Sequence, residues 1–250
     1  GDAGPGVVAP RQAPAAGTGT VFVYSGQGSR AGMGQRLLAD EPVFAAAIAE
    51  LEPAFVEHVG FSLQQILADG AEVSGDARVQ PVIMGVQLGL TALWRSYGVA
   101  PDAVMGHSMG EVTAAVVAGV LSPAEGIRLI AIRSKLMSRL AGQGAVALVE
   151  LDADATEKLI ADYPGVEITV YSSPRQTVIA GPPDQVDAVI AAVSAQDRFA
   201  RRVKMEVASH TALMDPILPE LAEALSGTTP AETAIRFIST VDDPTRTPAF

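Results

Sequence analysis

The 250-residue chain contains no cysteine and only three histidines, at positions 58, 107 and 210. The absence of cysteine excludes disulfides, thiolate nucleophiles and cysteine-ligated zinc, and so few histidines argue against a histidine-rich metal site. Positive charge is also scarce, because 17 Lys and Arg face 28 Asp and Glu for a formal net charge of −11. Nucleic-acid binding needs a basic surface, so DNA and RNA are excluded as main ligands.

Long apolar runs are absent too. The longest one near the middle is interrupted at Gly119 and ends at Leu121, well short of the ~20 residues that span a bilayer. The N-terminus lacks a basic segment followed by an apolar core, so we predict no secretory signal and no membrane association. Hydrophobic residues nevertheless make up 48% of the chain and charged residues 18%, which is a globular composition. We therefore expect a soluble, cytoplasmic protein.

Both ends of the chain have the composition of connecting segments. Residues 1–20 are mostly Gly, Ala and Pro, which predicts a linker. The last ten residues also have a loop composition. We expect the chain to be a piece of a longer polypeptide.

Between these ends the hydrophobic pattern predicts an α/β fold. A short strand at 21–24 leads into a glycine-rich turn, and a second strand is predicted at 103–105. Helices are predicted over 33–58, 80–97, 111–119, 123–141 and 214–225, with a strand at 237–241.

A different pattern begins near Gly142. Strands are predicted at 145–151, 166–172, 176–181 and 200–207, with helices at 154–163 and 183–196. This β-α-β-β-α-β order is that of a ferredoxin-like unit. We predict an inserted subdomain over 143–206, within a core formed by 21–142 and 207–250.

The most informative segment is residues 106–110, Gly-His-Ser-Met-Gly, between the predicted strand at 103–105 and a small-residue helix. A G-x-S-x-G pentad in that context predicts a nucleophile elbow, with Ser108 exposed at a helix N-terminus where negative charge is stabilised. The alternative is a glycine-rich turn that contains a serine by chance.

A serine nucleophile needs a base, and His210 is the best candidate because it follows the strand predicted at 200–207, where the inserted unit rejoins the core. His58 lies in a polar helix end and is interpreted as a surface residue. His107 adjoins the serine, and the residues leave open whether it packs near the site or positions the substrate.

Taken together, several motifs resemble the malonyl-CoA:acyl-carrier-protein transacylase family, and more narrowly the acyltransferase domain of a type I modular polyketide synthase. They occur in order over residues 21 to 241: Gly26-Gln27-Gly28-Ser29, Gly32-Met33-Gly34, Gln80-Pro81, the segment 106–111, Arg133-Ser134 and Ala208-Ser209-His210. The resemblance implies an α/β-hydrolase-like core with an inserted ferredoxin-like subdomain. Because the chain ends before the Tyr-Trp…Asn-Leu-Arg segment of that family, we expect the core to be C-terminally incomplete.

The resemblance also implies roles for individual residues. Ser108 would attack the thioester of an acyl-CoA while His210 accepts its proton, and the backbone N–H groups of Gln27 and Met109 would form the oxyanion hole. Arg133 would bind the free carboxylate of the acyl group through its planar fork. From its neighbours alone, which include three further basic residues, Arg133 would be interpreted as a solvated helix arginine.

Substrate preference in this family follows the motif that ends at the histidine. Here it reads Val207-Ala208-Ser209-His210, and Ser209 leaves more room than the Phe found in malonyl-specific members. The resemblance therefore favours methylmalonyl over malonyl, with Val207 and Ser209 as specificity residues and His107 as a further substrate contact. Val207 instead of Tyr, and Met109 instead of Gln, depart from the methylmalonyl pattern.

The resemblance implies no bound cofactor. Acyl-CoA would be the substrate, and the phosphopantetheine of an acyl carrier protein the acceptor, with neighbouring synthase domains as further partners. A patch of basic residues is a candidate docking surface for the carrier protein, or an ordinary solvated strand face: Arg198, Arg201, Arg202 and Lys204. Two alternatives are a serine hydrolase or editing thioesterase, and an inactive, truncated docking domain.

Overall fold

A computed structural model describes residues 19–27, 32–233 and 235–241. Most of the predicted linker, the motif residues Gly28 and Ser29, and the last nine residues lie outside this part of the chain. The described residues divide into two compact units. One contains residues 136–222, and the other contains residues up to 135 together with those from 223 onward. We describe each unit by itself.

The fold is mixed α/β, and its elements follow the chain in this order. The first half contains β1 (Val21–Tyr24), α1 (Gln35–Asp40), α2 (Pro42–Val59), α3 (Leu63–Asp69), α4 (Asp76–Ser96), β2 (Ala103–Gly106), α5 (Gly110–Ala118) and α6 (Pro123–Ser138). The second half contains β3 (Ala145–Val149), α7 (Ala153–Ile160), β4 (Glu167–Ser173), β5 (Gln176–Gly181), α8 (Pro183–Ser194), β6 (Ala200–Val203), a 3-10 helix (Ala212–Ile217), α9 (Leu218–Leu225) and β7 (Arg236–Ile238). Among the described residues, every helix is too short or too polar to cross a lipid bilayer.

The unit that contains the N-terminal strand is built on a parallel sheet of order β1-β2-β7. Val21 pairs with Ala103, and Ala103 pairs in turn with Arg236. The largest buried side chains lie on α2, α3 and α4, and among them Phe44, Ile48 and Phe55 are fully buried. In the sheet, strand β2 lies between β1 and β7, so the segment that follows β2 begins at the centre of the sheet.

The unit of residues 136–222 contains an antiparallel sheet of order β4-β5-β3-β6. Helix α7 packs against β4 and β5, while α8 packs against β3, β5 and β6. Their shared core is aliphatic, with Val149, Ile179 and Val189 fully buried. Asp152 begins α7 by accepting a hydrogen bond from the N–H of Ala155 at 2.8 Å.

Several predicted element boundaries were wrong for local physical reasons. The helix predicted over 33–58 is two helices, α1 and α2, because Pro42 lacks an N–H and begins a new helix. The strand predicted over 200–207 ends at Val203, and the helix predicted over 214–225 is divided into a 3-10 helix and α9. Helix α3 was not predicted, although Ser62 caps it with its side chain.

Candidate active site

Ser108 lies on a sharp turn between β2 and α5 and has a left-handed backbone, with φ of 53°. Only a few per cent of non-glycine residues adopt positive φ, because Cβ then crowds the backbone. The glycines on either side allow the turn. A Cβ on Gly106 would fall on the backbone of Gly110, and one on Gly110 would fall on the carbonyl of Tyr24. Strand, turn and helix therefore approach one another as a nucleophile elbow requires.

The loop after β1 lies directly beside this turn. A Cβ placed on Gly26 would lie 3.6 Å from Cβ of Ser108 and 3.0 Å from Nδ1 of His107. The N–H of His107 donates to the carbonyl of Tyr24 at 2.9 Å, which joins the two segments. The hydrogen bonds between described residues leave the backbone N–H groups of Gln27 and Met109 unused.

Helix α4 holds this loop through a stripe of polar side chains on one face. Their spacing of four, seven and four residues places them within a narrow arc of an α-helix. The stripe consists of Asp76, Gln80, Gln87 and Thr91. Its partners include the loop itself: Asp76 accepts from the side-chain amide of Gln27, and Gln87 donates to the carbonyl of Ser25 at 2.9 Å. The helix predicted at 80–97 thus begins at Asp76 and is not purely apolar on its buried side.

The same stripe holds Arg133. The Arg133 Nη1 donates to Oε1 of Gln80 at 2.6 Å, and Gln80 is 1% exposed. Burial lowers the pKa of the Arg133 guanidinium, and the charge of Asp76 raises it by a smaller amount. Lys135 and Arg139, by contrast, are exposed on the same stretch of chain. Arg133 is therefore not the solvated helix arginine that its neighbours alone suggest.

A second group of polar contacts supports the elbow from the end of β7. Ser239 donates to a carboxylate oxygen of Glu111 at 2.6 Å, and Thr240 donates to the carbonyl of Gly106 at 2.8 Å. Glu111 lies in the first turn of α5, where a carboxylate is stabilised by the helix dipole. These bonds join residues that lie more than 125 positions apart in the sequence.

His210 belongs to the other unit and also has a left-handed backbone, with φ of 63°. Thr211 stabilises its turn by donating to the carbonyl of Ala208 at 2.8 Å and by capping the following 3-10 helix. The His210 side chain is exposed, whereas Val207 and Ser209 are buried. Among the described non-glycine residues, positive φ occurs at Ser108, Asp197 and His210. Two of these three are the predicted nucleophile and base, and such strain is concentrated at functional sites.

A family model described as the acyl transferase domain matches residues 21–249. The chain belongs to the acyl transferase domain family. It is 66% identical over 227 residues to a phenolphthiocerol/phthiocerol polyketide synthase of Mycobacterium tuberculosis (strain CDC 1551 / Oshkosh), in an alignment that covers 90% of this chain. The same alignment spans 12% of the length of that relative.

Solved structures agree with this assignment. The acyltransferase domain of the polyketide synthase PpsC of Mycobacterium tuberculosis superposes with a TM-score of 0.86 at 60% identity, over 89% of this chain and 68% of that one. A malonyl-transacylase solved in complex with a type II polyketide synthase acyl carrier protein gives a TM-score of 0.81 at 29% identity, over 89% of this chain and 74% of that one. The protein is thus an acyltransferase domain of the polyketide synthase type, as the motifs indicated.

Within this acyltransferase domain, one unit brings together most of the predicted site residues. Ser108, Met109, His107 and Gln27 lie around the elbow, and Arg133 is linked to them through α4. His107 is exposed, which contradicts its interpretation as a packed histidine. The other unit contains His210, Val207 and Ser209.

Three further polar groups of the site had no role predicted from the sequence: Asp76, Gln87 and Glu111, although Glu111 lies in the motif segment 106–111. For Asp76 and Gln87 the available signal was their spacing. Asp76 stands four residues before Gln80, a residue already noted in the Gln-Pro motif, and Gln87 follows seven residues later on the same helical face.

Proposed function

We propose that this domain transfers a carboxylated acyl group from acyl-CoA to the phosphopantetheine thiol of an acyl carrier protein, through an ester on Ser108. The observation that carries this proposal is the left-handed turn of Ser108 immediately before α5, beside the loop that follows β1. A simple structural serine has no need of such a turn, because glycine would adopt it without strain.

In the first half-reaction, the Oγ of Ser108 attacks the thioester carbonyl carbon while His210 accepts the hydroxyl proton. The carbonyl oxygen becomes an oxyanion, which the N–H groups of Gln27 and Met109 stabilise. When the C–S bond breaks, coenzyme A leaves with the proton from His210. A single such N–H donor typically contributes ~2.7–4 kcal/mol of transition-state stabilisation.

In the second half-reaction, the phosphopantetheine thiol gives its proton to His210 and attacks the Ser108 ester. The C–O bond breaks, and Ser108 recovers the proton from His210. The enzyme returns to its starting state with no metal or redox step.

Arg133 selects the acyl group in this proposal. Its guanidinium is largely withdrawn from solvent and held in one orientation by Gln80, so it can present two parallel N–H donors to a carboxylate. A hydrolase that acts on uncharged esters has no use for this cation. We therefore expect Arg133→Ala to shift preference from malonyl-CoA towards acetyl-CoA. An unchanged preference would contradict the carboxylate-binding role.

For the acyl branch, we propose methylmalonyl over malonyl. Ser209 is buried in the segment that precedes His210, and its small side chain leaves space for an α-methyl group. One methyl group contributes only ~1–3 kcal/mol to discrimination, so we expect a preference and not exclusion.

We also propose that the unit of residues 136–222 contains the ferredoxin-like subdomain and that it docks the carrier protein. Support for the subdomain is the order β4-β5-β3-β6 with two helices packed on the sheet. The basic patch is smaller than its sequence suggests, because Arg202 forms two hydrogen bonds of 2.7 Å with the Asp187 carboxylate. Arg201 and Lys204 are exposed beside it. Arg201→Glu should raise KM for the carrier protein and leave KM for acyl-CoA unchanged, whereas Lys158→Glu on α7 should change neither.

The deciding experiment is competitive acylation. We would incubate the protein with malonyl-CoA and methylmalonyl-CoA together and measure its intact mass, with Ser108→Ala as the matched control. A stable adduct that is absent from the variant supports transfer through Ser108, and its mass identifies the preferred acyl group. Release of free acid without a thiol acceptor would instead support a hydrolase. A folded protein with neither adduct nor free acid would indicate an inactive docking domain.

A further inference from the structure

Asp76 is a buried carboxylate in the first turn of α4, and it is 1% exposed. One turn later on the same face lies Gln80, also 1% exposed, whose Oε1 accepts from Arg133. The side chain of Gln27 donates to Asp76 from the opposite side. Asp76 therefore lies between the loop that contributes an oxyanion N–H group and the helix face that holds Arg133.

The electrostatic consequence follows from the number of charges. Asp76 already provides an anion for Arg133 when the site is empty, and its charge raises the pKa of that guanidinium. A carboxylated acyl group adds a second anion to the same cation. In a low-dielectric site, repulsion between two carboxylates is strong. Without Asp76, the empty site would contain an uncompensated cation, largely withdrawn from solvent, that attracts a carboxylate far more strongly.

We propose that Asp76 is a specificity-determining residue of the acyl site, which moderates the preference of Arg133 for carboxylated acyl groups and holds the Gln27 loop in place. This inference rests on the proposed roles of Ser108 and Arg133. A purely structural role at the start of α4 would not alter the choice between acyl groups. The ratio of kcat/KM for malonyl-CoA to kcat/KM for acetyl-CoA therefore separates the two roles.

The test compares Asp76→Asn with Asp76→Ala. The asparagine removes the charge but retains an acceptor for Gln27, so we expect the malonyl-to-acetyl ratio to rise about tenfold, mainly through a lower KM for malonyl-CoA. The alanine also removes the acceptor, and the rate of Ser108 acylation at saturating acyl-CoA should then fall as well. Asp69→Asn at the exposed end of α3 makes the same change in charge and should leave the ratio unaltered.

An unchanged ratio in a folded Asp76→Asn protein would overturn the inference. If that variant does not fold, Arg133→Ala can be compared with the double variant Arg133→Ala, Asp76→Asn. The single variant leaves a buried carboxylate without its cation, so the double variant should melt at the higher temperature, and an equal or lower melting temperature would overturn the inference. If the wild-type protein were not acylated by either acyl-CoA, that result would instead contradict the proposed function itself.

Discussion

The left-handed backbone of Ser108 predicts that glycine at this position gives a more stable fold than alanine, while both substitutions abolish acylation. Ser108 has φ of 53°, a conformation that costs a residue with a Cβ atom roughly 1–2 kcal/mol. Glycine adopts it without that cost. The relevant comparison is between Ser108→Gly and Ser108→Ala, because both variants lose the hydroxyl group and its contacts. Only the alanine retains the Cβ atom.

The expected magnitude is the difference between two opposing effects. Glycine relieves the left-handed strain, but it also gives the unfolded chain more freedom, which lowers stability by about 0.4–1 kcal/mol. The Ser108→Gly protein should therefore be more stable than Ser108→Ala by about 0.5–1 kcal/mol. For a chain of this size, that corresponds to about 1–4 °C in melting temperature.

Thermal and urea unfolding of both variants would measure this difference. Ala49→Gly serves as the control, because Ala49 is exposed within α2, where glycine should cost about 1 kcal/mol. Relative to alanine, glycine should thus raise stability at position 108 and lower it at position 49. A Ser108→Gly variant that is no more stable than Ser108→Ala would show that the elbow is not strained, and the reasoning from φ would fail.

Three further predictions concern the supports of the site. Gly110→Ala should prevent correct folding or lower the melting temperature by several degrees, because the new Cβ would fall on a backbone carbonyl oxygen. Gly227→Ala is the control for the same melting experiment and should be neutral, because a Cβ at that position meets nothing within 4 Å. Gln87→Glu should lower the free energy of unfolding by about 1–3 kcal/mol, because the carboxylate cannot donate to the loop carbonyl after β1, and urea unfolding would measure this loss. Ser239→Ala should lower the free energy of unfolding by about 1.5–3 kcal/mol, because the hydrogen bond to the Glu111 carboxylate is lost. The ratio of kcat/KM for malonyl-CoA to that for acetyl-CoA should not change, and a changed ratio would mean that this bond also shapes the acyl site.

Local sequence was sufficient to predict the elbow and most of the elements. The pattern around Ser108 consists of a strand, the two glycines Gly106 and Gly110, and a helix, all within residues 103–118. Strand β5 was predicted with its observed bounds, because an apolar segment between turn residues contains its own signal. Boundaries were wrong where one local feature outweighed periodicity, as Pro42 does between α1 and α2.

The environment of Arg133 could not be predicted in this way. Sequence alone placed it among exposed basic residues, whereas tertiary structure packs it against Gln80, 53 positions earlier. Asp76 and Gln27 are 49 positions apart. Such pairs depend on how α4 packs, and no short window of sequence contains that information.

The chemistry that is available could be read from the sequence: a serine on an elbow, a histidine after the last strand of the inserted unit, and no thiol. These depend on residue type and on steric limits within a few neighbouring residues. Which polar groups hold the segments around the serine depends on tertiary packing, because a buried polar group takes its partners from whatever segments the core brings together. In this acyltransferase domain those partners are the polar face of α4 and the end of β7.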